Sequence, residues 1–458
     1  MQDRAVLPKK SRDRQEVLRE LKAFGASDPD YKHMKTWSLV YYLGEEHTRF
    51  LQEAYNTYFS ANGLNPMVFQ SLKRLENEVV RITADLLHGD PNVCGVMTSG
   101  GTESCLLAVK TYRDYAKSTR GVTSPEMVIP ETAHVAWFKG AEYFCVKPVV
   151  VPLDKDYRPD LEQLKAKVSS NTAMILGSAP EYPHGTIDPI AELGDIALEK
   201  GVPLHVDACL GGYLLPFAEK LGHDLPLWDF RVPGVTSISA DTHKYGFSAK
   251  GASTITYRGI DILKHQFFVY ENWPGGIFAS PALLGTRPGG AYAAAWAALQ
   301  ALGEEGYLAI TAKTLEAAGK LKDGIGALAE LEIVGDPKGS VFSYRSIADD
   351  VNIYAVGDVM EQKGWQIDRL QRPEALHAMV TPLHIEVVDR YLADLKQAVD
   401  HVRKHPELAT QGGAAMYGMI ATIPQRDLLK QNVLEMFAGM YGPQAVLIDP
   451  ASETLENE

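Results

Sequence analysis

TSISADTHKYG, residues 236–246, reads as a short strand of hydroxyl and apolar residues that runs into a polar turn, with Lys244 just past the strand's end. A lone lysine in such a turn is ordinarily a solvated surface charge. Here Ser239, Thr242 and His243 stand beside it, a set able to contact a phosphate if the strand end faces another polar loop. Outward from this stretch the same texture recurs. VCGVMT (93–98), EMVIP (126–130), VVVPL (149–153), TAMILGSA (172–179), VPLHVDA (202–208) and ASTITY (252–257) are short apolar or β-branched runs, each followed by a turn and most by a helical stretch. Such alternation predicts an α/β protein whose large domain holds a mainly parallel seven-stranded sheet covered by helices. Ligands in open sheets of that kind collect beyond the carboxyl ends of the strands.

Two further strand ends carry chemistry. TSGGTES (98–104) follows a strand and opens a helix expected over Ser104–Ala116. Gly100 and Gly101 let backbone N–H groups approach a phosphate, and Thr102 adds a hydroxyl where the helix dipole favours an anion. Taken alone, this is equally a tight strand-to-helix turn. In VPLHVDA the alternation buries Leu204 and Val206 on one face, and the Asp207 carboxylate emerges as the strand finishes. An isolated aspartate there is usually a cap or an ion-pair partner.

Together the three ends are more specific than any one. Pyridoxal 5′-phosphate (PLP) needs a lysine for its Schiff base, a carboxylate to keep its pyridine nitrogen protonated, and a phosphate cradle. Phosphate loop, Asp207 and Lys244 supply that set in order. His134, in ETAHVAWFKGA, reads either as a capping or core histidine or as a ring stacked on the cofactor; the other elements favour stacking.

The rest of the chain frames this core. Charged Ser11–Lys22 and amphipathic Glu45–Phe59 predict an N-terminal helical arm over residues 1–65, and Phe69–Leu87 a further amphipathic helix. A large domain is expected over 66–300. The alanine-rich run 291–325 predicts two helices that lead into a small C-terminal α/β domain over 301–440. There LEIVG, VFSYRS and ALHAMVTP read as strands, with Val351–Lys363 and Glu386–Arg403 as helices. Acidic residues at the end of 441–458 predict a flexible tail.

Composition narrows the partners. Lys plus Arg number 45 against 58 Asp plus Glu, a formal charge of −13, which argues against nucleic acid or an anionic membrane surface. Four cysteines without zinc or disulfide spacing, no signal-peptide core and no membrane-spanning run predict a metal-free cytoplasmic protein without an integral membrane segment.

The motifs quoted above, with WPGGIFASP (273–281), RPGG (287–290) and AMYGM (415–419), resemble the PLP-dependent group II decarboxylase family of fold type I. Within it, TSISADTHKYG followed by AKG is most similar to the bacterial type of sphingosine-1-phosphate lyases. The resemblance implies that Lys244 carries PLP, Asp207 pairs with its ring nitrogen and His134 stacks on the ring. Gly100, Gly101, Thr102, Ser239 and His243 are implied at the cofactor, and Thr286 at the phosphate held by a neighbouring subunit, hence a homodimer with shared active sites. It nominates Tyr41, Asn62, Asn65, Lys250 and Phe278 for the substrate, and Tyr182 as acid/base, a residue that reads equally as an aromatic plug.

Two positions depart from the family pattern. NPLHP is NGLNP here, so Asn65 replaces a histidine, and GGIYASP is GGIFASP, so Phe278 lacks a hydroxyl. The implied reaction is carbon–carbon cleavage of a phosphorylated long-chain amino alcohol, the small-molecule substrate, to a fatty aldehyde and phosphoethanolamine, with Tyr182 or freed Lys244 as base. The alternatives are an amino-acid decarboxylase or a lyase of a smaller hydroxy-amine, because the bond held perpendicular to the cofactor ring decides which one breaks.

Overall fold

Uncharged runs of Val, Ile, Leu and Met suit strands covered on both faces, and the structure, a computed structural model describing residues 6–442, places them so. The strands are β1 (Cys94–Thr98), β2 (Glu126–Pro130), β3 (Lys147–Val151), β4 (Thr172–Ser178), β5 (Leu204–Asp207), β6 (Val235–Ala240) and β7 (Ser253–Tyr257). They form one seven-stranded sheet in the order β1-β7-β6-β5-β4-β2-β3. Only β7 runs antiparallel to its neighbours. Every residue of β4 and β5 is buried, so the one-sided burial expected for VPLHVDA gives way to burial on both faces. His205, on the face opposite Leu204 and Val206, is satisfied internally by Ser237 at 2.7 Å and Ser239 at 3.2 Å. The register sets Ser178 beside Asp207 and Asp207 beside Ser239 at adjacent carboxyl ends.

The first five helices are α1 (Arg14–Phe24), α2 (Glu45–Thr57), α3 (Gln70–Leu86), α4 (Gly101–Arg120) and α5 (Val135–Phe144). α4 starts three residues earlier than the expected Ser104, which brings Gly101 and Thr102 into its first turn. The N-terminal arm is not one helical unit. α1 buries no residue, whereas α2 packs on the long helix Gly289–Gly326, where a Cβ on Gly290 would lie 2.5 Å from the Tyr55 ring. Between them Trp37 is fully buried within the small C-terminal sheet. Its N–H donates to the Gln366 carbonyl at 3.1 Å, and its own carbonyl accepts from Met379 N–H at 2.9 Å.

The alanine-rich run forms two helical halves joined at Gly303, whose φ of 55° breaks the helical path. A hairpin not anticipated from sequence, β8 (Phe268–Trp273) and β9 (Gly276–Ser280), stands apart from both larger sheets and exposes Val269 and Ile277. The small sheet has β10 (Leu331–Ile333), β11 (Val341–Ser346), β12 (Asp368–Gln371) and β13 (Glu374–Met379) in the antiparallel order β10-β11-β13-β12. β12, DRLQ, also escaped sequence reading because it has almost no apolar residue to set a period. Helix Arg426–Tyr441 reaches into the expected tail, and 443–458 lie outside the described residues. Among the described residues no helix is long and apolar enough to cross a membrane.

Candidate active site

Four strand ends, those of β1, β4, β5 and β6, open onto a cavity of about 490 Å³, within the range of small-molecule sites. Gly100, Gly101, Thr102, His134, Tyr182, Asp207, His243, Lys244 and Lys250 all line it. The turn after β6 fixes Lys244: its N–H donates to the Asp241 carbonyl at 3.2 Å, and its carbonyl accepts from Phe247 N–H at 2.9 Å. Its Nζ lies 3.0 Å from the buried Asp241 carboxylate. Burial alone would lower the Lys244 pKa, but Asp241 and neighbouring groups outweigh it and hold the value well above that of a free lysine.

Asp207 is buried at the end of β5 yet held as an anion. Burial pushes its pKa upward; His134, the Trp137 indole, Cys209 and Lys244 together bring it below the ordinary value. Trp137 Nε1–H donates to Oδ2 at 2.9 Å, and the Cys209 backbone N–H donates to Oδ1 at 3.1 Å. His134 caps α5, its Nδ1 accepting from Ala136 N–H at 3.2 Å, with burial the main cause of a lowered pKa. An Nδ1 that accepts leaves the proton of the neutral ring on Nε2.

At the other end, α4 begins at Gly101 with no side-chain cap, so its first N–H groups remain available to an anion. Glycine is required there: a Cβ on Gly101 would lie 2.7 Å from Asp241 Oδ2 and 3.0 Å from Cys209 Sγ. The residues therefore fit PLP. A buried carboxylate kept charged, a lysine amine and an uncapped helix N-terminus face one cavity, which is the donor set its ring nitrogen, aldehyde and phosphate require. His243 contributes less plainly. Its Nδ1 lies 2.6 Å from the Ala252 carbonyl, so Nε2 can donate to a phosphate only in the imidazolium form, which burial disfavours.

Other expected residues stand elsewhere. Ser239 is fully buried behind Asp207, bonded to it at 3.4 Å and to His205, and does not line the cavity. Thr242 is turned inward to the Ala252 carbonyl. Asn62 donates to Thr286 at 3.3 Å, and Asn65 accepts from Met67 N–H in a local turn. Phe278 packs beside Phe268 and Trp273 on the hairpin. None of Tyr41, Asn62, Asn65, Phe278 and Thr286 lines the cavity of its own chain. Arg287, which follows Thr286 in the RPGG turn, is buried in its own chain, donating to Glu76, Tyr292 and the Gly63 carbonyl.

Lys250 sits at the cavity edge, its Nζ 5.0 Å from the centre of the Tyr41 ring and donating to the Leu39 carbonyl at 2.9 Å. Although the residue as a whole is exposed, burial of its ammonium end, with repulsion from Lys244, lowers its pKa to about 8. Tyr41 in turn meets Tyr245 edge-on at 5.1 Å. Tyr182 is fixed three ways: its ring stacks on His377 at 4.3 Å, its carbonyl accepts from His377 Nε2 at 3.0 Å, and its hydroxyl donates to Asp368 at 2.8 Å. Sequence reading missed Trp137, Asp241 and Asp368. Asp241 was visible three residues before Lys244, and Trp137 three after His134; Asp368 gave no local signal.

Residues 62–346 match the pyridoxal-dependent decarboxylase conserved domain. The sphingosine-1-phosphate lyase of Arabidopsis thaliana is 46% identical over 402 residues, covering 87% of this chain and 74% of that protein. Sphingosine-1-phosphate lyase 1 of Rattus norvegicus is 43% identical over 444 residues, 96% of this chain and 78% of that one. Among solved structures, a Burkholderia pseudomallei sphingosine-1-phosphate lyase superposes with a TM-score of 0.86 at 38% identity, covering 94% of this chain and 97% of that chain.

Proposed function

Since the chain belongs to the sphingosine-1-phosphate lyases of the pyridoxal-dependent decarboxylase family, we propose that it cleaves a phosphorylated long-chain amino alcohol to a fatty aldehyde and phosphoethanolamine. The observation that carries this reading is one cavity that joins the PLP set, Lys244, Asp207 and the α4 N-terminus, to a basic side chain at its edge, Lys250. When bound, the cofactor supplies an electron sink for the pair released at the amine-bearing carbon.

The chain's own groups divide the remaining work. Asp207 holds the ring nitrogen protonated, His134 lies against the ring, and Gly100, Gly101 and Thr102 receive the cofactor phosphate. Lys250, whose Nζ lies 5.0 Å from the centre of the Tyr41 ring, receives the substrate's phosphate end. Lys244, with Nζ 3.0 Å from the Asp241 carboxylate, is favoured there as an ammonium. It then donates protons rather than accepting them, and the hydroxyl proton on the neighbouring carbon falls to Tyr182.

The working unit is a homodimer. The support is that Thr286, Asn65 and Phe278 lie outside their own cavity, on or near segments exposing Val269, Ile277, Leu283 and Met67, an apolar surface of the kind that association covers. Four free cysteines agree with a reducing compartment, the cytoplasm. The test is mass spectrometry of products after incubation with phosphorylated sphingoid bases and with a panel of amino acids. Aldehyde and phosphoethanolamine are expected; amine and carbon dioxide from an amino acid, with no aldehyde from any sphingoid base, overturn the assignment.

A further inference from the structure

We infer that Asp368, on β12 of the small sheet, is the proton-accepting partner of Tyr182 in the cleavage step; this rests on the role given above to Tyr182. A phenol has one proton, and that of Tyr182 is already committed, 2.8 Å from Asp368 Oδ2. Toward the cavity Tyr182 therefore offers only oxygen lone pairs. It can take the proton of a substrate hydroxyl provided its own moves on at the same moment, because a phenol that kept both protons would be an oxonium.

The surroundings leave Asp368 free to accept. Among the described residues it has no ion-pair partner; its neighbour Arg369 is occupied by Asp358 at 2.6 Å and Glu361 at 2.7 Å. His377, directly across the β12–β13 pair from Asp368 and stacked on Tyr182, is held neutral by burial, its pKa lowered to about 4. A carboxylate without a cation is the better proton acceptor.

Topology supplies the exit. Tyr182 lines the cavity that holds Lys244 and also a second one of about 860 Å³, which Asp368 lines with Asp358, Arg369 and Tyr417. Tyr182 and Asp368 thus form a two-member proton path between the two spaces. In the step, the substrate O–H proton passes to the Tyr182 oxygen and the Tyr182 proton to Asp368. The Cα–Cβ bond breaks, its electron pair stays with the amine-bearing carbon, and the hydroxyl carbon becomes the aldehyde. Asp368 then releases its proton to water of the second cavity.

The test is single-turnover aldehyde formation by the PLP-loaded enzyme from a phosphorylated sphingoid base. Asp368→Asn keeps an acceptor for the tyrosine hydroxyl but cannot take its proton, so the rate should fall about 10²-fold or more with the cofactor's visible spectrum unchanged. In a Tyr182→Phe background the same change should have no further effect. A wild-type rate in Asp368→Asn beside an impaired Tyr182→Phe overturns the role of Asp368 alone, as do losses that multiply in the double variant. An unimpaired Tyr182→Phe overturns the tyrosine assignment and this one together. Should Asp368→Asn fold poorly, a proton inventory of the same step in the wild-type enzyme decides: curvature from two protons in flight is expected, and a linear plot refutes the relay.

Discussion

Trp137→Phe isolates one bond that keeps the Asp207 carboxylate charged. The indole N–H donates to Asp207 Oδ2 at 2.9 Å from a fully buried ring, so phenylalanine keeps most of the apolar packing and removes only the donor. A hydrogen bond to a charged group contributes about 1.5–3 kcal/mol. At about 1.4 kcal/mol per pKa unit, its loss should raise the Asp207 pKa by about one to two units. The direction follows from linkage. Asp207 is depressed in the native protein, so its contribution is complete above the ordinary carboxylate pKa and is lost as pH falls through the native value. In the variant that loss begins at higher pH. Fluorescence titration of apoenzyme with PLP from pH 8 down to about pH 3 should therefore give near wild-type affinity at pH 7 and, in the variant, an acid limb that sets in about one to two pH units higher. Circular dichroism across the same range separates this from unfolding. An acid limb that does not move while the protein stays folded would falsify the role given to Trp137.

Other perturbations follow from the same site. Lys250, with its pKa lowered to about 8, loses charge as pH rises through that value. The kcat/KM for a phosphorylated amino alcohol should then decline above pH 8 while that for an unphosphorylated amine does not, and Lys250→Arg should remove the decline; equal profiles for the two substrates count against a phosphate role. Arg287→Met leaves buried Glu76 with only Lys73 as a cation, at 3.0 Å, and should cost about 3 kcal/mol in urea unfolding; a change below about 1 kcal/mol contradicts the structural role assigned to the RPGG turn. Mixing Lys244→Ala subunits with Thr286→Ala subunits should restore partial activity, because Thr286 lies outside its own cavity; a fully active wild-type monomer in sedimentation rules out the shared site. Borohydride reduction of yellow holoenzyme should leave PLP covalently on Lys244 alone, and an adduct mapped to any other lysine removes the central assignment.

Much of this protein was legible in its sequence because the signals are local. The strands of a sheet covered on both faces must be short apolar runs, so all seven could be read directly, and the groups that serve PLP sit within a few residues of strand ends, where the turn chemistry marks them. TSGGTES, HVDAC and DTHK each carry their meaning in one contiguous stretch, and so the fold class and the cofactor needed no coordinates, and Lys244 and Asp207 could be nominated from sequence. Sequence order does not state which strand ends are neighbours. Only the register that sets Ser178, Asp207 and Ser239 side by side turned Ser239 away from the cavity and behind Asp207. Nothing in RPGG announces that folding buries Arg287 against Glu76, 211 residues earlier in the chain. The Trp37 segment belongs to a sheet more than three hundred residues later in the chain. Tyr182 read equally as plug or acid/base because its hydroxyl partner, Asp368, lies 186 residues away on a charged strand without periodicity. Proton transfer depends on distances of a few tenths of an ångström between groups brought together by packing, and packing is a property of the whole chain, so tertiary structure alone set Asp368 beside that hydroxyl.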